Sequence, residues 1–107
     1  MLARTWTTKV DDRRTQEYES FARDVSLPMF RASSGCVGVL MSRRGNVCEV
    51  LTLWRDARDI AALGHSPSYR DTVERIRATG FLLETNDTTV ASVHLAWLGE
   101  VPVDADV

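Results

Sequence analysis

The apolar pattern of this chain predicts an α+β fold of the ferredoxin-like kind, β-α-β-β-α-β: a four-stranded antiparallel sheet with its helices on one face. Three observations predict it. The two ends alternate with period two, two segments carry the helical period, and two apolar runs in the middle are joined by a tight polar turn.

Leu2 to Val10 is the first strand, with Leu2, Arg4, Trp6 and Thr8 on one side and Ala3, Thr5 and Thr7 on the other. Asp11 and Asp12 follow as N-cap candidates. Tyr18, Phe21, Ala22, Val25 and Met29 then form one face of an amphipathic helix. Pro28 is expected to kink or end that helix. Ser33-Ser34-Gly35 breaks the pattern before two strands, Cys36 to Arg43 and Val47 to Trp54, which turn at Arg43 to Asn46. Asp56 caps a short helix that ends at Gly64, and Ser66-Pro67 opens the next, whose buried stripe is Tyr69, Val73 and Ile76. Gly80 stops it, and Phe81-Leu82-Leu83 must dock somewhere. Thr88 to Trp97 alternates again as the last strand. Residues 1–97 are expected to form one domain, with 98–107 as an acidic tail.

Composition narrows the function classes. In 107 residues, 13 Lys and Arg balance 15 Asp and Glu, for a net charge of −2. That argues against a nucleic-acid partner, which usually calls for a basic excess. No apolar run is long enough to cross a membrane, and the first residues lack the pattern of a signal peptide. The turn places Cys36 opposite a residue near position 54, so Cys48 is too far along the hairpin to bridge to it. Two free thiols suit the cytoplasm. His65 and His94 are far apart, and no His or Cys pair has metal-ligand spacing, so no metal site is expected.

The middle strands are apolar on both parities, apart from Ser42, Glu49 and Thr52. A sheet wetted on one face should alternate cleanly. The second face therefore calls for a cover, and a homodimer packed sheet to sheet supplies one.

Four pieces of the sequence carry a family resemblance. They are Met1-Leu2-Ala3-Arg4-Thr5-Trp6; Leu27-Pro28 and Phe30-Arg31-Ala32 leading to Gly35; Leu51-Thr52-Leu53-Trp54 before a capping Asp; and Ser66-Pro67. On these the chain resembles the antibiotic-biosynthesis monooxygenase superfamily of dimeric α/β barrel proteins, over residues 1–97. The resemblance implies a ferredoxin-like subunit, a dimer and a pocket between sheet and helices. Some members oxidise phenolic polyketides to quinones with oxygen and no cofactor. Those have an Asn four residues before the Trp and a Tyr six after it, where this chain has Val50 and Ile60. Haem-degrading members use an Asn, a Trp and a His, where this chain has about Thr5, Ala62 and Thr72. That departure argues against haem degradation by their mechanism.

The leading expectation is a cofactor-independent monooxygenase acting on a small aromatic or polyketide-type molecule. The alternatives are a module that binds haem or another flat ligand without turnover, and a dimer without chemistry. His65 and Tyr69 are the candidate catalytic residues. His65 is the candidate base, because modest burial can bring an imidazole near neutrality, and Tyr69 is a hydrogen-bonding partner for a ring oxygen. Trp54, Phe21 and Thr5 are the candidate substrate contacts, with Trp54 either stacking on a flat ring or packing the strand end. Arg4, Trp6 and His94 are assigned to the dimer interface.

Overall fold

The computed structural model describes residues 1–83 and 86–99. Four strands, β1 (Leu2–Lys9), β2 (Cys36–Arg44), β3 (Val47–Trp54) and β4 (Asp87–Ser92), form one antiparallel sheet in the order β2-β3-β1-β4. The helices are α1 (Thr15–Phe21), α2 (Leu27–Arg31), α3 (Ala57–Leu63) and α4 (Pro67–Ala78). The fold is the α+β, ferredoxin-like arrangement predicted from the sequence.

Pairing follows from the turn. Arg44 opposes Val47 across a two-residue loop, and Gly45 sits at φ +61°, as the first central position of a type II′ turn requires. That register puts Cys36 opposite Trp54 and Cys48 opposite Arg43, and both cysteines are free thiols. A bulge between Cys36 and Gly38 restores the alternation, so Val39 and Met41 face the helices and Leu40 faces away.

The helical run continues through Pro28 to Arg31, but its winding changes just before the proline. The segment Ala22–Ser26 is wound as a π-helix between α1 and α2, and the Leu27 N–H reaches the Ala22 carbonyl five residues back. Widening the turn just before Pro28 accommodates a residue that has no N–H and crowds the preceding carbonyls. The last strand stops at Ser92 rather than Trp97. Leu95, Trp97 and Leu98 lie beyond the sheet and are exposed. The expected tail from residue 98 falls outside the described residues from 100 onward.

Caps fall where the sequence places them. Asp56 accepts the Arg58 backbone N–H at the start of α3, and the Arg58 side chain bonded to its carboxyl lowers the Asp56 pKa. Ser66 accepts the Tyr69 N–H at the start of α4. Phe81, almost fully buried, docks edge-on against Tyr18 and Phe21, and Leu82 bridges to Val10.

The helix-facing side of the sheet carries two buried clusters rather than one. The first gathers Val10, Tyr18, Ala22, Cys48, Ile76 and Phe81. The second gathers Met29, Phe30, Val50, Trp54 and Leu63. Trp6 and Met41 touch both. The other side of the sheet presents Leu40, Leu51 and Leu53 among Thr5, Thr7, Glu49 and Thr89. Leu53 is buried there because Gly38 leaves room for it: a β-carbon at Gly38 would lie 3.1 Å from its Cδ1.

Candidate functional site

A cavity of about 260 Å³ opens on the helix-facing side, lined by members of both clusters. The volume is near the lower end of small-molecule sites, roughly 300 Å³. Trp6, Ala22, Met29, Phe30 and Val50 supply its apolar wall. Tyr18, Tyr69, Thr72 and Thr88 add hydroxyl-bearing side chains.

Arg4 and Tyr69 form its polar centre. Arg4 is only 9% exposed, and its Nη2 donates to Tyr69 Oη at 3.0 Å. The guanidinium carbon lies 5.7 Å from the Tyr69 ring centroid, close enough for a cation–π contact. Because the Tyr69 oxygen accepts from Arg4, its own O–H is left to donate elsewhere. Tyr69 is held in place by the Ser66-Pro67 start of α4, one turn before it. The cross-strand neighbours of Arg4 are Thr52 and Val90, neither of them acidic.

Tyr18 lies on the same wall. Burial, and then the nearby Cys48 sulfur, push its hydroxyl pKa far above the ordinary value, so it stays protonated. Burial also raises the Cys36 and Cys48 thiols, which disfavours the reactive thiolate. Among the described residues there is no group of three or more His, Cys, Asp or Glu placed to hold a metal.

The structure separates the residues that the sequence grouped. Tyr69 lines the cavity. Arg4 and Trp6, expected on the dimer face, turn towards the helices and line it as well, because Trp6 fills the core and Arg4 shares its parity. Thr5, expected against substrate, has the opposite parity and lies on the far face of the sheet, between Leu51 and Thr89. Trp54 is fully buried outside the cavity lining, with its indole N–H donating to Thr52 Oγ1 at 2.8 Å. Phe21 packs edge-on against Phe81, also outside the lining. His65 is exposed on the turn between α3 and α4, and His94 is exposed beyond β4. Neither histidine lines the cavity. Met29, Phe30, Val50 and Thr72 were not singled out as site residues, although the helical stripe through Tyr69, Val73 and Ile76 points to their side of the sheet.

Fold and cavity together define a class: ferredoxin-like domains with a small-molecule-sized chamber between sheet and helices. The fold is that of solved proteins named antibiotic biosynthesis monooxygenases. One, provisionally so named, is from Deinococcus radiodurans; it has a TM-score of 0.75 at 10% identity, over 94% of this chain and all of that one. SnoaB from Streptomyces nogalater, a cofactor-independent oxygenase solved as an asparagine-to-alanine variant, has a TM-score of 0.69 at 15% identity, over 89% of this chain and 94% of that one. A Nitrosomonas europaea protein of unknown function has a TM-score of 0.75 at 15% identity, over 94% and 95% of the two chains. No family model matches the sequence, and no curated protein matches it.

Proposed function

We propose that this protein is a cofactor-independent oxygenase acting on a small aromatic or polyketide-type molecule. The observation that carries this reading is the apolar cavity with the Tyr69 hydroxyl at its polar centre. The cofactor-independent oxygenase among its structural relatives supports it. A flat substrate lies against Trp6, Met29, Phe30 and Val50, with a ring oxygen accepting from the Tyr69 O–H. The adjacent guanidinium polarises that O–H and makes it a stronger donor. An oxyanion forming on the ring as the substrate loses a carbon-bound proton is thereby stabilised. The resulting carbanion passes its electrons to oxygen, so that a ring CH₂ and O₂ become C=O and H₂O. The reductant is the substrate itself. Among the described residues no histidine or carboxylate stands in the cavity lining, and in this reading solvent at the mouth takes the proton.

Oxygen uptake with anthrone- and naphthol-type compounds tests the reading. Turnover is expected, and Tyr69→Phe is expected to lower kcat by roughly a hundredfold with a smaller change in KM. Failure of the whole panel to consume oxygen refutes it.

The working unit we propose is a homodimer joined through the open sheet face. Leu40 there is 59% exposed and Val37 in the adjoining bulge 39%, and Leu51 continues the apolar surface. Among the described residues no helix is long and apolar enough to cross a membrane. The two free thiols fit a reducing compartment such as the cytoplasm.

A further inference from the structure

Among the described residues, two of the side chains lining the cavity are cationic, Arg4 and Arg77, and none is anionic, although the whole chain carries a net charge of −2. Arg77 is exposed on the last turn of α4, where water solvates it. Arg4 is nine-tenths buried, and a buried guanidinium without a counter-ion is costly. Six other arginines, at positions 13, 14, 23, 43, 58 and 75, form ion pairs with carboxylates on more open surface. Among the described residues no carboxylate reaches Arg4. Its single side-chain hydrogen bond goes to Tyr69, whose oxygen is neutral. None of its nitrogens is a fully enclosed, unsatisfied donor, so the remaining donors open onto the cavity. Among the described residues the protein side of the site supplies no counter-charge.

We infer that the ligand supplies it: the cavity takes an aromatic carboxylic acid whose carboxylate seats on Arg4. This rests on the oxygenase reading for the ring oxygen placed at Tyr69. The guanidinium is a planar fork matched to two carboxylate oxygens. The Tyr69 O–H, one hydrogen bond away, then meets an oxygen on the neighbouring ring carbon. The substrate class is therefore an aromatic acid bearing a hydroxyl or keto group beside its carboxylate. One enclosed guanidinium balances one negative charge. A phosphate monoester, with up to about two charges and three oxygens, calls for more donors than the hydroxyls around Arg4 provide.

Titration calorimetry on the full chain tests this with four probes of one shape: 1-hydroxy-2-naphthoate, its neutral carboxamide, 1-naphthol and 1-naphthyl phosphate. The acid is expected to bind roughly tenfold or more tightly than the carboxamide, as a charge-assisted pair requires. Arg4→Gln keeps a donor for Tyr69 but removes the charge, and it is expected to abolish the preference for acid over amide. Tyr69→Phe is expected to weaken both and leave the preference in place, which reads out Arg4 even if the first variant fails to fold. Equal affinity for acid and amide overturns the inference. So does a preference that survives Arg4→Gln but is lost in Arg77→Gln, or tighter binding of the phosphate. Selective binding of the acid without oxygen uptake by any substrate keeps the inference and removes the oxygenase reading. Uptake with equal kcat/KM for acid and amide does the reverse.

Discussion

Replacing Thr52 with Val keeps the shape of a fully buried side chain and removes two hydrogen bonds. The Trp54 indole N–H donates to Thr52 Oγ1 at 2.8 Å, and that hydroxyl donates to the Arg4 carbonyl at 3.3 Å. The Arg4 carbonyl loses a long bond. The indole N–H loses its partner at 0% exposure, where no water replaces it. An unsatisfied buried donor costs about 1–3 kcal/mol, and we expect Thr52→Val to fall near about 2 kcal/mol. For a chain of this length that lowers Tm by roughly 8 °C. Trp54→Phe removes the N–H altogether, so in that background Thr52→Val should cost about 1–2 kcal/mol less. Urea unfolding followed by far-UV circular dichroism measures all four proteins without relying on tryptophan fluorescence. Equal costs of Thr52→Val in the two backgrounds would refute the argument. Trp54→Phe should also leave ligand affinity near the parental value, since Trp54 lies outside the cavity lining. A large loss of affinity at wild-type stability would return Trp54 to the substrate.

Four further outcomes are expected. Gly35→Ala forces a β-carbon into φ +83° and into the Asp59 side chain, which should cost about 2–3 kcal/mol in urea unfolding; adding Asp59→Ala should restore only part of the steric share, because the Asp59 β-carbon itself lies 2.6 Å away, and none of the backbone share. Tyr18 is held neutral in the fold, so above pH 10, its ordinary pKa, the unfolded chain loses a proton that the folded chain keeps. Stability should then fall with rising pH, by up to about 1.4 kcal/mol per unit, and Tyr18→Phe should remove that contribution to the slope. Cys48 is fully enclosed with a raised pKa, so an aromatic disulfide reagent should modify half-buried Cys36 first and reach Cys48 only on unfolding. Leu40→Glu puts a charge on the open sheet face, and sedimentation should change from two chains to one without loss of helical signal.

The strands, caps and hairpin register were legible because each rests on local chemistry. Gly45 sets the turn, Asp56 and Ser66 cap helices, and the alternation from Leu2 to Val10 shows which side chains share a face. The same alternation already joined Arg4 to Trp6. Treating Trp6 as a core residue would have carried Arg4 to the helix side. Pro28 marked the place where the winding changes but not its form: the chain winds a π-turn before it. Trp97 continues an alternating pattern, yet the pairing of β1 with β4 ends at Ser92 opposite Leu2. The cavity had no local signature. It is the space left between two clusters whose members lie up to 71 residues apart, Val10 and Phe81, and spacing along a chain does not report how far packed groups stop short of each other.

The position of β1 between β3 and β4 also bears on how the chain is made. Of the four strands, β1 is made before the others and is an inner strand of the finished sheet. The β2–β3 hairpin needs only neighbouring residues and can form early. The other edge of β1 has no partner until residues 87–92 have left the ribosome. Until β4 is made the chain therefore carries an unpaired edge along β1, a template for another nascent chain. Early termination of translation before β4 leaves that edge open for good. Such fragments should be cleared by proteases or lost to aggregates, even though most of the helix-facing core is already encoded in them.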